Sequence, residues 1–113
     1  MFSKIKSIGL LGLESYMIDV ELNISGSKGA VEIVGLPDTA VSEARDRIIA
    51  AINNSGFQMH LSSHYTFNLA PADIKKEGAY LDLPIAVGII KAYSDLLSGI
   101  TLDDYVFLGE LSL

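Results

Sequence analysis

At 113 residues, with 50% hydrophobic and 19% charged side chains, the chain has the size and composition of one globular domain that can bury a core without a metal or disulfide staple. The absence of cysteine excludes thiol nucleophiles, thiolate zinc sites, iron-sulfur ligation and disulfides. Eight basic against fourteen acidic side chains, a net charge of -6, oppose unaided binding to nucleic acid. The longest apolar run, Leu83 to Ile90, is far shorter than the roughly 20 residues of a spanning helix, and Ile8 to Leu13 runs into Glu14 without a cleavage signal. The chain is therefore read as cytoplasmic, with no membrane segment.

In chain order, Ser3 to Leu10 reads as a short strand, followed by a turn at Gly12 to Glu14. From Tyr16 onward, Ile18, Val20, Leu22 and Ile24 alternate with Asp19, Glu21 and Asn23, which is a strand with one dry and one wet face. Gly26 to Gly29 is turn chemistry, and Ala30 to Val34 reads as the hairpin partner of that strand. Past Gly35-Leu36-Pro37 the period becomes helical. Val41, Ala44, Ile48, Ala51 and Ile52 form one stripe, with Asp38 or Thr39 as N-cap and Asn54 to Gly56 as the stop. His64 to Leu69 alternates again and ends at Pro71. A polar loop, Ala72 to Gly78, leads to a helix near Leu83 to Tyr93 that is apolar almost all round, with Asp82 as N-cap and Pro84 in its first turn. A last strand at Tyr105 to Leu111 completes the order βββαβαβ, an α+β fold of a sheet and helices in two layers, read as a single domain over residues 1-113.

Few residues carry chemistry. His60 and His64 have the i, i+4 spacing of a helical zinc pair, but Leu61-Ser62-Ser63 and the strand that follows argue against a helix. Extended chain would set them about 13 Å apart, so no metal site is expected. No Gly-x-Ser-x-Gly elbow surrounds any serine. Asp38, Glu43, Arg45, Asp46 and Arg47 read as the solvated face of the first helix. The segment Pro71-Ala72-Asp73-Ile74-Lys75-Lys76-Glu77-Gly78 sets two lysines and a glycine before a helix N-terminus, where backbone N–H groups favour an anion. Lys75, Lys76, Glu77 and Gly78 are thus expected in an exposed loop that contacts an anion or a neighbouring domain. No Gly-x-x-x-x-Gly-Lys-Ser/Thr sequence is present, so no nucleoside triphosphate site is implied within the chain.

Three stretches, VGLPDTAVSEARDR from Val34, NLAPADIKKEG from Asn68 and YVFLGELSL from Tyr105, closely resemble the N-terminal domain of the magnesium-chelatase-like AAA+ ATPases, the ChlI-like family that includes the competence protein ComM (YifB). LLGLESY from Leu10 and LDLPIAVG from Leu81 fit the same pattern, so the resemblance covers nearly the whole chain. It implies the fold called ribosomal protein S5 domain 2-like, shared with the Lon proteolytic domain. It also implies a larger parent of which this chain is a fragment. That parent is a hexameric, DNA-associated AAA+ ATPase whose separate module holds ATP and magnesium, with a helicase-like branch-migration role in natural transformation. Lon-type enzymes place a serine after a Lys-Asp-Gly-Pro sequence. Here Lys76-Glu77-Gly78-Ala79 matches that approach and Tyr80 stands at the serine position. The partner lysine would follow residue 113, so neither half of a Ser-Lys dyad is present. The resemblance therefore implies a domain with no catalytic residue and no cofactor of its own, whose partner is the rest of the ATPase. Two other classes stay open: a divergent Lon-like hydrolase, and a small anion or nucleic-acid binding module built on Lys75 and Lys76.

Overall fold

A computed structural model describes residues 2–26, 29–59, 62–93 and 97–113. The chain forms an α+β structure in which helices cover one face of a four-stranded sheet. Strands β1 (Phe2–Leu11), β2 (Glu14–Ser25), β3 (Ala30–Val34) and β4 (His64–Ala70) are ordered β1-β2-β4-β3. The alternation in β2 predicts its burial: Ile18, Val20, Leu22 and Ile24 line the core, while Asp19, Glu21 and Asn23 do not. Outward, these polar positions pair across strands, Lys4 with Asp19 and Asn68 with Glu21. The sheet is thus wet on one side and dry on the other.

The expected hairpin of Ala30 to Val34 with the preceding strand is not formed. β4 lies between them, antiparallel to β2 and parallel to β3, and His64 is in register with both Ser25 and Ala30. Ser25 and Ala30 therefore lie on either side of β4, about 10 Å apart, rather than facing each other as a hairpin would place them. Alternation reports which face of a strand is dry and carries no label for its neighbour.

Between β3 and β4 run α1 (Thr39–Ser42) and α2 (Ala44–Asn54), separated at Glu43 where a single helix was expected. Asp38 is the N-cap, its Oδ1 accepting from the Val41 N–H at 2.8 Å. Val41, Ala44, Ile48 and Ile52 pack inward, facing Tyr65, Phe67 and Leu69 of β4 within one core cluster. The apolar helix α3 (Asp82–Tyr93) follows a short 3-10 turn at Ala79–Leu81. It lies close on β1, whose inward residues include Ser3, Ile5 and Ser7. Ser3 Oγ donates to the Gly88 carbonyl at 2.9 Å, and a Cβ at Gly88 would meet that Oγ at 3.3 Å.

Tyr105 to Leu111, expected as a strand, joins no ladder. It follows a 3-10 turn at Leu102–Asp104. It touches the edge of β1 through the Phe107 N–H on the Lys6 carbonyl, 2.9 Å, and then turns toward α3. The observed order is βββααβα. Among the described residues, no helix is long and apolar enough to cross a membrane.

Candidate functional site

The segments 34–38 and 71–78 meet at one junction. Gly35, at φ 102°, closes on β4 so tightly that a Cβ would come 2.2 Å from the Leu69 carbonyl oxygen, so only glycine fits. Beyond it, Lys76 runs beside Pro37 in an isolated parallel bridge. The Lys76 N–H donates to the Leu36 carbonyl and the Asp38 N–H to the Lys76 carbonyl, both at 2.9 Å.

The Lys76 side chain then folds inward and is fully buried. Its Nζ donates to the Gly35 carbonyl at 2.8 Å and to the Pro71 carbonyl. Burial pushes its pKa below the ordinary lysine value, and Asp73 works in the opposite direction. Asp38 spans the same junction. While Oδ1 caps α1, Oδ2 accepts from the Gly78 N–H at 2.9 Å, and Gly78 itself sits at φ 91°.

This corrects the expectation of an exposed Lys75-Lys76 pair. Lys75 and Glu77 are exposed and Gly78 is half-buried, but Lys76 is a core residue whose ammonium is already engaged. A polar segment reads as surface because buried lysines are rare; what overrides that prior here is a set of carbonyls that no local pattern announces.

Tyr80, expected at the position of a Lon-type serine, is half-buried and packs against the core together with Tyr16. Desolvation raises its pKa, and Tyr16, Asp38 and Glu77 raise it further. Tyr16 is shifted the same way, by burial first and then by Glu77. Both shifts favour the protonated phenol, in which the hydroxyl is a weak nucleophile.

A second junction lies at the start of α3. Asp82, expected as N-cap, is the first helical residue, with a side chain 1% exposed. Its Oδ2 accepts from Arg47 Nε at 3.0 Å and its Oδ1 from Arg47 Nη2 at 3.1 Å, a two-pronged ion pair. Oδ2 also accepts from the Leu111 N–H at 3.1 Å. The helix N–H at Leu83 is satisfied by the Gly109 carbonyl, 3.0 Å, and the Gly109 N–H donates to the Tyr80 carbonyl, 2.7 Å. Incoming chain thus does the work expected of a side-chain cap. Arg47, expected on a solvated face, is half-buried; Glu43, Arg45 and Asp46 are exposed as expected. The link from Arg47 to Asp82 was missed because the two stand 35 positions apart.

His64 opens β4 with its Nε2 at 3.5 Å from Glu32, and His60 lies outside the described residues. Among the described residues, no group of three or more His, Cys, Asp or Glu is placed to hold a metal ion.

Comparison with known proteins supplies the relationship. The model of the family described as subunit ChlI of Mg-chelatase matches residues 20–113. An uncharacterized protein YifB of Escherichia coli is 47% identical over 103 residues, covering 91% of this chain. The competence protein ComM of Haemophilus influenzae is 41% identical over the same share. An uncharacterized protein of Mycobacterium tuberculosis is 34% identical over 107 residues, 95% of this chain and 21% of its own length. The chain spans about one fifth of the length of the curated relatives it matches, 20% for the first two. The match covers both junctions, from Gly35 and Asp38 through Lys76 and Asp82 to Leu111. The chain belongs to the family of the ChlI subunit of magnesium chelatase, in the branch that resembles YifB and ComM.

Proposed function

We propose that this chain is a non-catalytic N-terminal domain of a ComM-like AAA+ ATPase, serving assembly or DNA handling in a cytoplasmic, hexameric parent that migrates DNA branches during natural transformation. The observation that carries the non-catalytic part is the placement of Lys76. Its ammonium, the cation best placed in sequence to meet a phosphate or to activate a neighbouring hydroxyl, is buried on the carbonyls of Gly35 and Pro71. At the position expected for a Lon-type serine stands Tyr80, its phenol shifted toward the protonated form.

ATP and magnesium belong in this reading to a module outside the present residues. The residues here do not fit ATP: the sequence has no Gly-x-x-x-x-Gly-Lys-Ser/Thr loop, and the lysine that precedes α3 is engaged internally. Lys75 and Glu77, both exposed, are the part of the segment left to touch the rest of the ATPase. The parallel β3–α1–α2–β4 crossover within an otherwise antiparallel sheet supports an S5 domain 2-like, Lon-related fold.

The test is direct. The purified 113-residue chain is expected to turn over neither ATP nor casein above a no-protein control, and the longer protein is expected to hydrolyse ATP with DNA stimulation. ATP or casein turnover by the chain that survives rigorous purification rejects the non-catalytic reading. A longer protein with no DNA-stimulated ATPase rejects the role of the parent.

A further inference from the structure

The two edges of the sheet are finished differently. On the β1 edge, the segment from Tyr105 onward arrives and donates a hydrogen bond to Lys6. On the other edge, β3 is bonded to β4 on one side, and no strand among the described residues meets its other side. Open edges are ordinarily blunted by lysine, proline or a bulge. The sequence of β3, AVEIV, has no lysine or proline and a single charge, the exposed Glu32, and its register with β4 runs without interruption.

Beside this edge lies a groove of about 360 Å³ between β3 and the start of α2, lined by Val31 and Ile33 below and by Glu43, Arg45 and Asp46 above. It continues past Val31 and Arg45 into a second recess of about 180 Å³ toward Gly29 and Met59. We propose that the free edge of β3 and this groove bind an extended peptide of alternating apolar and basic side chains, added to the sheet as a further strand. The inference goes beyond the proposed ATPase role and does not depend on it.

The chemistry of the occupant follows from the period and the charge. Residues of an added strand alternate between the two faces of the sheet. One set would enter the groove over Val31 and Ile33, which are apolar and partly buried. The other set would lie on the outer face beside Glu32, whose side chain is 59% exposed. On the rim Arg45 and Asp46 pair at 3.5 Å and Glu43 acts on Arg47, so the carboxylate that an added strand meets is Glu32, which has His64 at 3.5 Å on its other side. Apolar groups inward and cations outward therefore complement the site, and main-chain hydrogen bonds to β3 would give affinity independent of sequence detail. A second copy of this chain is a poor occupant, because edge-to-edge pairing brings the Glu32 and Glu43 carboxylates of two molecules with charge -6 together.

Fluorescence anisotropy of a labelled Lys-Val-Lys-Val-Lys-Val peptide with the 113-residue chain at physiological salt tests the proposal. It is run against the Glu-Val counterpart and a version N-methylated on alternate residues. The basic peptide is expected to bind, with at least about tenfold loss on N-methylation or in the acidic peptide. The exposed substitution Glu32→Lys on the outer face is expected to keep the melting temperature and reverse the charge preference. No binding up to about 1 mM, equal binding of the N-methylated peptide, or indifference to Glu32→Lys each overturns the proposal. A concentration-dependent dimer that protects the β3 amides from hydrogen exchange overturns it in favour of a second copy.

Discussion

Two buried charges hold this molecule together, and their surroundings could hardly differ more. Asp82 faces a counter-ion: Arg47 grips both carboxylate oxygens, and the Leu111 N–H adds a third bond. Lys76, equally buried, has its ammonium on the neutral carbonyls of Gly35 and Pro71. A charge lifted out of water needs either an opposite charge or several well-aimed dipoles. The first solution ties the start of α3 to α2 and to the last residues. The second ties two loops that leave the same end of the sheet. At both places the charge joins segments distant in sequence, so each acts as a fastener between elements rather than as part of one.

The comparison breaks most sharply at the ion pair. Asp82→Ala strands a half-buried guanidinium and frees the Leu111 amide, and is expected to cost about 3–5 kcal/mol, measured by urea denaturation. A loss under about 1 kcal/mol would mean that water reaches Arg47 well enough to replace the carboxylate. Lys76→Met keeps the aliphatic stem and removes the charge. It leaves two carbonyls without their donor but also abolishes the desolvation of an ammonium, so the expected loss is smaller, about 2 kcal/mol. If Lys76→Met proves more damaging than Asp82→Ala, dipoles alone are the stronger fastener here.

Arg47→Lys sharpens the comparison further, since a point charge cannot span Oδ1 and Oδ2 together. An expected loss of about 1–2 kcal/mol separates the fork geometry from simple charge. The pH dependence distinguishes the two junctions without touching the ion pair. Because the folded pKa of Lys76 lies below its ordinary value, the unfolded chain holds a proton that the folded chain has lost in the window between the two. Wild type should therefore gain stability relative to Lys76→Met as pH rises through that window, with a slope no steeper than about 1.4 kcal/mol per pH unit. Tyr16 and Tyr80, raised in the fold, act oppositely: their stabilisation is lost as pH climbs past the ordinary tyrosine value. Both phenols are present in each protein, so the difference between wild type and variant isolates the lysine. Smallest of all, Lys75→Ala should move the melting temperature by no more than about 2 °C, while weakening the DNA-stimulated ATPase of the longer protein. Unchanged ATPase would remove Lys75 from the contact surface.

These residues also show where sequence stops speaking. The alternation of β2 and the stripe of Val41, Ala44, Ile48 and Ile52 were legible because burial imposes a period on the chain itself. The insertion of β4 between β2 and β3 was not, since a strand has the same period beside any neighbour. Val106 and Leu108 alternate with Phe107 and Gly109 as a strand should, yet only the Phe107 amide finds the edge of β1. Lys76 was the hardest case. Adjacent lysines look alike in sequence, and only the carbonyls gathered from positions 35 and 71 tell the buried one from the exposed one. Asp38 was half legible: its capping role is local, whereas its bond to Gly78 reaches across 40 positions.

The segment from Tyr105 onward bears on how the chain comes off the ribosome. Lys6 in β1 receives the Phe107 amide on its carbonyl and sends its own Nζ to the Asp103 carbonyl, 97 positions later. Until residues 103–111 emerge, the Leu83 amide lacks its acceptor and the Asp82–Arg47 pair lacks its third partner. Contacts this far apart in sequence close late and slow the search for the native state. A nascent chain held before this segment therefore carries all four strands of the sheet beneath a helix whose first amides still lack their acceptor. Residues 103–111 then act as a latch whose closure seals the hydrophobic layer of α3.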